Sequence, residues 1–297
     1  MPVLENQTFP PVQEAFARGR ALGSGWRLRR PDAAPRGVSG MLLGRRPGSS
    51  VEYMDHRDYQ PGDDIRRIDW AAYGRSDRLS VRLYREENSP RMDLIVDATA
   101  SMDLPGSGKG AVAAAWVGLL LESALAAGFT PALWLASADG LRPVPSSKNG
   151  AWAQMLDFSA KGNPAAALVG RGARFSPGAV RVLVSDLLWP ADPGAVVRRL
   201  ATGASAAFVV QVMAERETRP PQQGATRLLD RETGEERPIF VDAGVARAYV
   251  ENLAAHREAW GGACRAHGAA LIETTEADCF PEFNSAAFLQ ARLLEPR

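Results

Sequence analysis

The sequence predicts an α/β fold, a doubly wound and mostly parallel sheet, with a small β-rich N-terminal segment packed on it. Three observations carry that expectation. From residue 92 onward short apolar runs alternate with helical stretches, as in successive βαβ units. Leu94-Ile95-Val96 has the form of a strand buried on both faces. The stretch after it, residues 111–127, is apolar almost all round, which suits a helix packed centrally against a sheet.

At 297 residues the chain can bury a sizeable core and hold one large or two modest domains. A net charge of +1 gives no overall field toward nucleic acid or an anionic membrane. Charge is uneven, however: Arg18, Arg20, Arg27, Arg29, Arg30, Arg36, Arg45 and Arg46 outnumber Glu5, Glu14 and Asp32 at the start of the chain. Cys264 and Cys279 form no Cys-x-x-Cys pair, which argues against a zinc site or a disulfide scaffold and fits a reducing cytosol. The first eleven residues lack the order of a signal peptide. The most apolar stretch, 111–121, is about half the ~20 residues of a membrane span. A soluble, cytoplasmic chain is expected, without an integral membrane segment.

In chain order, 12–22 reads as a short helix, and Pro31, Pro35, Gly37, Gly40, Gly44, Pro47 and Gly48 then break any long periodicity. Residues 1–36 are therefore expected as a basic, loosely ordered arm, 37–90 as the β-rich segment and 91–297 as the sheet domain. Within the second part, 61–63 is a turn signal and 79–87 alternates like a half-exposed strand. Each acid there has an arginine within a few residues. An ion-pair network of Arg57, Asp63, Asp64, Arg66 and Asp69 around Trp70, locking the segment to the main domain, is expected in preference to a catalytic carboxylate cluster. Further strands are expected at 130–136, 180–184, 206–213 (central) and 269–273, with an edge arm at 140–145 and a hairpin over 227–241. Helices are expected near 152–159, 193–201, 243–267 and 285–294, the third with Tyr249, Leu253, Trp260 and Cys264 on one stripe.

The candidate chemistry follows the first buried strand. Asp97, Thr99 and Ser101 put one carboxylate and two hydroxyls at alternate positions of a loop leaving a strand's carboxyl end, where open α/β sheets bind ligands. One carboxylate with neutral oxygens suits a hard divalent cation that keeps waters, such as Mg²⁺, or Mn²⁺ or Ca²⁺ in its place. Asp-x-Thr-x-Ser-Met resembles the metal-ion-dependent adhesion site (MIDAS) of von Willebrand factor type A domains. By that resemblance Ser185-Asp186, after the strand at 180–184, is the third loop, with Asp186 a water-mediated ligand. Asn163, before Pro164, stands where the second-loop threonine belongs and is its weaker, neutral substitute.

The run His56-Arg57-Asp58-Tyr59-Gln60-Pro61-Gly62-Asp63-Asp64-Ile65-Arg66-Arg67-Ile68-Asp69-Trp70, with Arg75 and the strand after it, resembles the signature of the domain of unknown function 58 family. In that family such a block precedes a von Willebrand A-like domain, and members are commonly paired with MoxR-type AAA+ ATPases. The resemblance implies a von Willebrand A/Rossmann-like fold and a non-catalytic protein–protein interaction module, an adaptor or co-chaperone. A partner's Asp or Glu would enter the ion's open position. Two alternatives stay open: a Mg²⁺-dependent hydrolase using Asp97 and Asp186, with Asp103 or Asp139 as base, and a metal-free interaction scaffold. Other chemistry finds no support. Pro105–Gly110 lacks the residues of a phosphate loop at 103 and 110, no Gly-x-Ser-x-Gly elbow follows a strand, and Thr99 breaks the phosphatase Asp-x-Asp pattern.

Overall fold

The computed structural model describes residues 8–31, 51–61, 63, 65–86, 89–145, 152–170, 172, 174–231 and 233–297, and for 51–57, 67 and 82–86 the backbone alone. The chain divides into two compact units, residues 1–38 with 90–297, and residues 39–89.

The larger unit starts with helix α1 (Val12–Gly23) and strand β1 (Trp26–Leu28). The smaller holds β2 (Val51–Asp58), α2 (Trp70–Ser76) and β3 (Ser80–Glu86). The larger resumes with β4 (Arg91–Asp97), α3 (Lys109–Ala126), β5 (Thr130–Ser137), β6 (Gly140–Val144), α4 (Trp152–Met155) and α5 (Ala165–Val169). Then come β7 (Val180–Ser185), α6 (Pro193–Ala201), β8 (Ala206–Val212), β9 (Gly224–Leu229) and β10 (Glu236–Val241). The chain closes with α7 (Ala243–Ala266), β11 (Ala270–Thr274), α8 (Ala286–Gln290) and β12 (Leu294–Pro296).

Six strands form the central sheet in the order β11-β8-β7-β4-β5-β6. Every pairing is parallel except that of the edge arm β6 with β5. The expected mixed α/β fold with a mostly parallel sheet is therefore present. Strand β8, expected to be central, lies one place in from the β11 edge, and β7 and β4 hold the middle. Alternation along β4 divides the core: Met92, Leu94 and Val96 join the layer built on α3, while Ile95 faces the layer with Leu183, Val196, Val209 and Trp260. Both faces are covered, which is why Leu94-Ile95-Val96 is continuously apolar.

Helix α3 dominates the first layer. Among the described residues it is the one helix long and apolar enough to cross a membrane, and 83% of it is buried inside the protein. A helix apolar all round needs cover on the side away from the sheet as well, and α1 supplies it. A β-carbon at Gly19 would stand 1.9 Å from Ala115 O, and one at Gly118 would stand 2.3 Å from Phe16 O. The two backbones touch because neither contact carries a side chain. Arg20 closes the rim with hydrogen bonds of 2.9 and 2.7 Å to Glu122. Residues 8–31 are thus no peripheral arm: Ala15, Phe16 and Leu28 are core residues, and β1 pairs with β12. Arginine content misled there, because α1 turns its arginines outward and lays a small-residue face on α3.

The C-terminal helix is shorter than expected. Arg292 adopts a left-handed φ of 57°, ending α8, and the chain leaves as β12.

In the smaller unit β2 and β3 pair antiparallel, with a register shift between Tyr53 and Asp55. The unexpected α2 follows from Asp69, whose carboxylate caps it by accepting from Ala71 N and Ala72 N at 3.0 Å each. Asp63 closes a turn, accepting from Gln60 N at 2.9 Å. Arg66 is exposed, and Trp70 is 62% exposed with its ring edge-on to Tyr73. Asp64 and the Arg57 side chain lie outside the described residues.

The α1–α3 contact yields a stability prediction. Gly19→Ala is expected to cost about 1–3 kcal/mol by overpacking. Gly261→Ala in α7, where a β-carbon meets only the flexible end of Arg265 at 3.2 Å, is expected to be neutral or mildly stabilising. Urea unfolding midpoints of the two variants check this.

Candidate functional site

Numbered by appearance in the six-stranded sheet, β4 is the first strand and β7 the fourth, and the strand order reverses between them. Ligand sites of open α/β sheets lie at that reversal, beyond the carboxyl ends of the strands. Asp97 ends β4 and Ser185 ends β7, so the fold brings the first and third candidate loops side by side.

Asp97 is buried, and both its oxygens are occupied. Oδ1 accepts from Thr99 N at 3.0 Å and from Thr99 Oγ1 at 2.6 Å. Thr99 has then spent its proton, so the 3.1 Å contact with Ser101 Oγ is donated by Ser101. Oδ2 accepts from Ser185 Oγ at 2.6 Å and from Trp189 Nε1 at 2.8 Å. Ser185 Oγ in turn accepts from Leu187 N at 3.0 Å. Leu187, fully buried, holds a φ of 62°, a strained conformation for a non-glycine residue and one that clusters at functional sites. Burial and the neighbouring Asp186 charge push the Asp97 carboxyl above its ordinary range, against the hydrogen bonds of Ser185 and Thr99.

Asp186 faces a cation already inside the protein. Its Oδ1 accepts from Leu188 N at 3.0 Å, and its Oδ2 accepts from Lys109 Nζ at 2.7 Å. Lys109 opens α3 and is 0% exposed. Its ammonium also donates to Glu217 Oε1 at 3.0 Å. Burial pulls the Lys109 value down, but the charges and hydrogen bonds of Asp186 and Glu217 more than offset it and leave it raised. Glu217 sits on a short 3₁₀ turn (Glu215–Thr218) beyond β8, tied down by Arg216 to Pro105 O at 2.6 Å and by Tyr249 Oη to Glu217 O at 2.7 Å. Gln211 Nε2 donates to Asp186 O at 3.0 Å, Thr274 Oγ1 to Gln211 O at 2.9 Å, and Trp116 Nε1 to Thr274 Oγ1 at 3.2 Å. A chain of buried hydrogen bonds therefore runs from the cluster into the core.

The structure thus gathers Asp97, Thr99, Ser101 and Asp186 and does something else with Asn163. The exposed Asn163 accepts from Ala165 N, the first residue of α5, at 2.8 Å and donates to Pro190 O at 2.6 Å. Its carbonyl is spent on the backbone because Pro164 starts a helical turn whose free N–H groups need an acceptor. The loop before it still reaches the site, since Ala100 N donates to Ala160 O at 2.9 Å.

Tested against a divalent ion, the cluster as folded does not fit. Four donors fill the roughly four lone-pair positions of the Asp97 carboxylate. The Lys109 ammonium, 2.7 Å away, already occupies the Asp186 oxygen that an ion would need. Among the described residues no group of three or more His, Cys, Asp and Glu has the arrangement of a metal centre. Sequence reasoning missed Lys109, Glu217 and Trp189. The Lys109 signal was legible: a lysine at the first turn of an otherwise apolar, buried helix must find a carboxylate.

The sequence profile of the family described as "Protein of unknown function DUF58" matches residues 55–259. Two relatives, "Uncharacterized protein Rv1480" of Mycobacterium tuberculosis and "Uncharacterized protein Mb1516" of Mycobacterium bovis, are each 27% identical over 249 residues, covering 79% of this chain and 78% of theirs. Among solved structures, that of "conserved hypothetical protein BatB from Bacteroides thetaiotaomicron" aligns with a TM-score of 0.37 at 11% identity, over 68% of this chain and 96% of that one. An "aerotolerance-related membrane protein from Bacteroides fragilis" aligns with a TM-score of 0.37 at 13% identity, over 68% and 98%.

Two outcomes are expected at this site. Lys109→Met leaves buried carboxylates uncompensated and is expected to cost about 3–5 kcal/mol, against little for the exposed Lys161→Met, in urea unfolding. Asp97 has a folded value above its unfolded 3.8, so its contribution to stability is fully present below 3.8 and is lost as pH rises through the folded value. The stability of the wild type relative to Asp97→Asn is therefore expected to grow as pH falls from neutral toward 4. A pH-independent difference between the two would contradict that sign.

Proposed function

The chain belongs to the family described as Protein of unknown function DUF58, and we propose that it is a non-catalytic protein–protein interaction module with a von Willebrand A-like sheet. In this reading it is an adaptor or co-chaperone that couples a MoxR-type AAA+ ATPase to a client under assembly. One observation carries it: the two aspartates and the lysine of the charged cluster lie sealed beneath a rim of exposed loops, with Glu217 partly open, its side chain 17% exposed. Asp97 is 1% exposed, and Asp186 and Lys109 are 0% exposed, so none of them can meet a substrate or a partner's acid. That disfavours both the Asp97/Asp186 hydrolase and an adhesion-type ion shared with the partner. It favours the metal-free scaffold.

The rim above is accessible and internally braced. Asp103, Lys161, Leu188 and Arg216 are exposed on it, Leu188 at 42%. Arg216 bridges to the loop at Pro105, and Asn163 bridges to Pro190. An exposed apolar side chain with polar and charged residues around it, Arg216 among them, can take part in a protein contact with an apolar centre and a polar rim.

Binding of the purified chain to MoxR-type ATPases of its own organism, measured by biolayer interferometry, tests this. Leu188→Glu is expected to weaken binding at least about tenfold, or about 1.4 kcal/mol, and Arg142→Ala on the β6 edge to leave it unchanged. Absence of binding to every such ATPase overturns the partner. Phosphoester turnover that Asp97→Ala abolishes overturns the non-catalytic reading.

A further inference from the structure

We infer that Lys109 is the cluster's own cation: its ammonium takes the electrostatic role of a divalent ion at the rim of the sheet and excludes such an ion from that site. The argument is geometric. The ammonium lies 2.7 Å from Asp186 Oδ2 and 3.0 Å from Glu217 Oε1, and it is 0% exposed. It enters from the first residue of α3, the helix that the loop after β4 leads into. The acids it serves are on different loops, Asp186 after β7 and Glu217 on the turn after β8, so one side chain fastens three loops of the sheet. A bound ion does the same in a metal-dependent site, but an ion exchanges with solvent. A lysine on a packed helix does not, and the contact is permanent at any divalent concentration. Asp97, whose oxygens are filled by hydroxyl, indole and backbone donors, is built to stand without an ion as well.

The inference rests on the interaction-module reading only for what the rim is used for; the charge replacement is testable on the free chain. Calorimetric titration of Mn²⁺ into the purified wild type is expected to show no saturable binding at millimolar ion, and its thermal midpoint to be the same in EDTA and in Mg²⁺. Lys109→Met frees Asp186 and Glu217 together. It is expected to bind Mn²⁺ at least about tenfold more tightly than the wild type and to gain thermal stability from the ion. The double variant Lys109→Met/Asp186→Asn is expected to lose both effects. Saturable Mn²⁺ binding to the wild type that Asp186→Asn removes overturns the inference, as does a folded Lys109→Met that gains no affinity. If Lys109→Met folds only when Mn²⁺ is added, the inference is supported. If it does not fold at all, the wild-type titration decides alone. ATPase binding enters none of these readouts, so its failure would strike the functional reading and leave this one standing.

Discussion

Two carboxylates placed on the ends of adjoining parallel strands and taken out of water repel each other, and the fold holds only if something answers their charge. In this protein the answer is divided. Asp97 is answered by dipoles, those of Thr99, Ser185, Trp189 and the backbone. Asp186 is answered by a full positive charge, the Lys109 ammonium, shared with Glu217. Hydrogen bonds to an ionised acceptor are the stronger kind, and each donor here comes from a different loop or from the turn next to it. Organisation of the rim follows from that distribution. The strained Leu187 sits within it, its N–H donating to Ser185 Oγ.

Lys109 also connects the rim to the core. It begins α3, and α3 is clamped between the sheet and α1 by contacts so close that only glycine fits at Gly19 and Gly118. The helix has little freedom to slide along its axis, so its first residue has little freedom to leave Asp186. Close packing of small residues midway along α3 thus fixes the position of its first residue. The same logic accounts for Trp116, which hangs from α3 into the chain of hydrogen bonds through Thr274 and Gln211 to Asp186. A polar network buried this deeply is favourable only when all its members are paired, and here the pairing is unbroken from helix to strand to loop.

A surface held from beneath in this way suits recognition by shape. Rim residues such as Leu188 and Arg216 stand on loops tied by hydrogen bonds to neighbouring loops, at Pro190 and Pro105 respectively. A preformed surface loses less conformational entropy when it is bound.

Much of this was legible in the residues themselves. The apolar run before Asp97, the alternation of strand and helix after it, and the acid and hydroxyls at alternate positions point to a mostly parallel sheet with polar residues at the carboxyl end of a strand, because hydropathy and its periodicity are local properties of the chain. The fate of the cluster was not. Asn163 has the right chemistry for a ligand, yet its carbonyl went to the backbone of the next helical turn. The arginine-rich opening has the composition of a loose arm, yet its small residues face α3 and make it core. Above all, whether Asp186 awaits an ion or already has one depends on Lys109 and Glu217, which are 77 and 108 residues apart from their partners along the chain. Charge compensation is settled by distances through space, and only tertiary packing sets those distances.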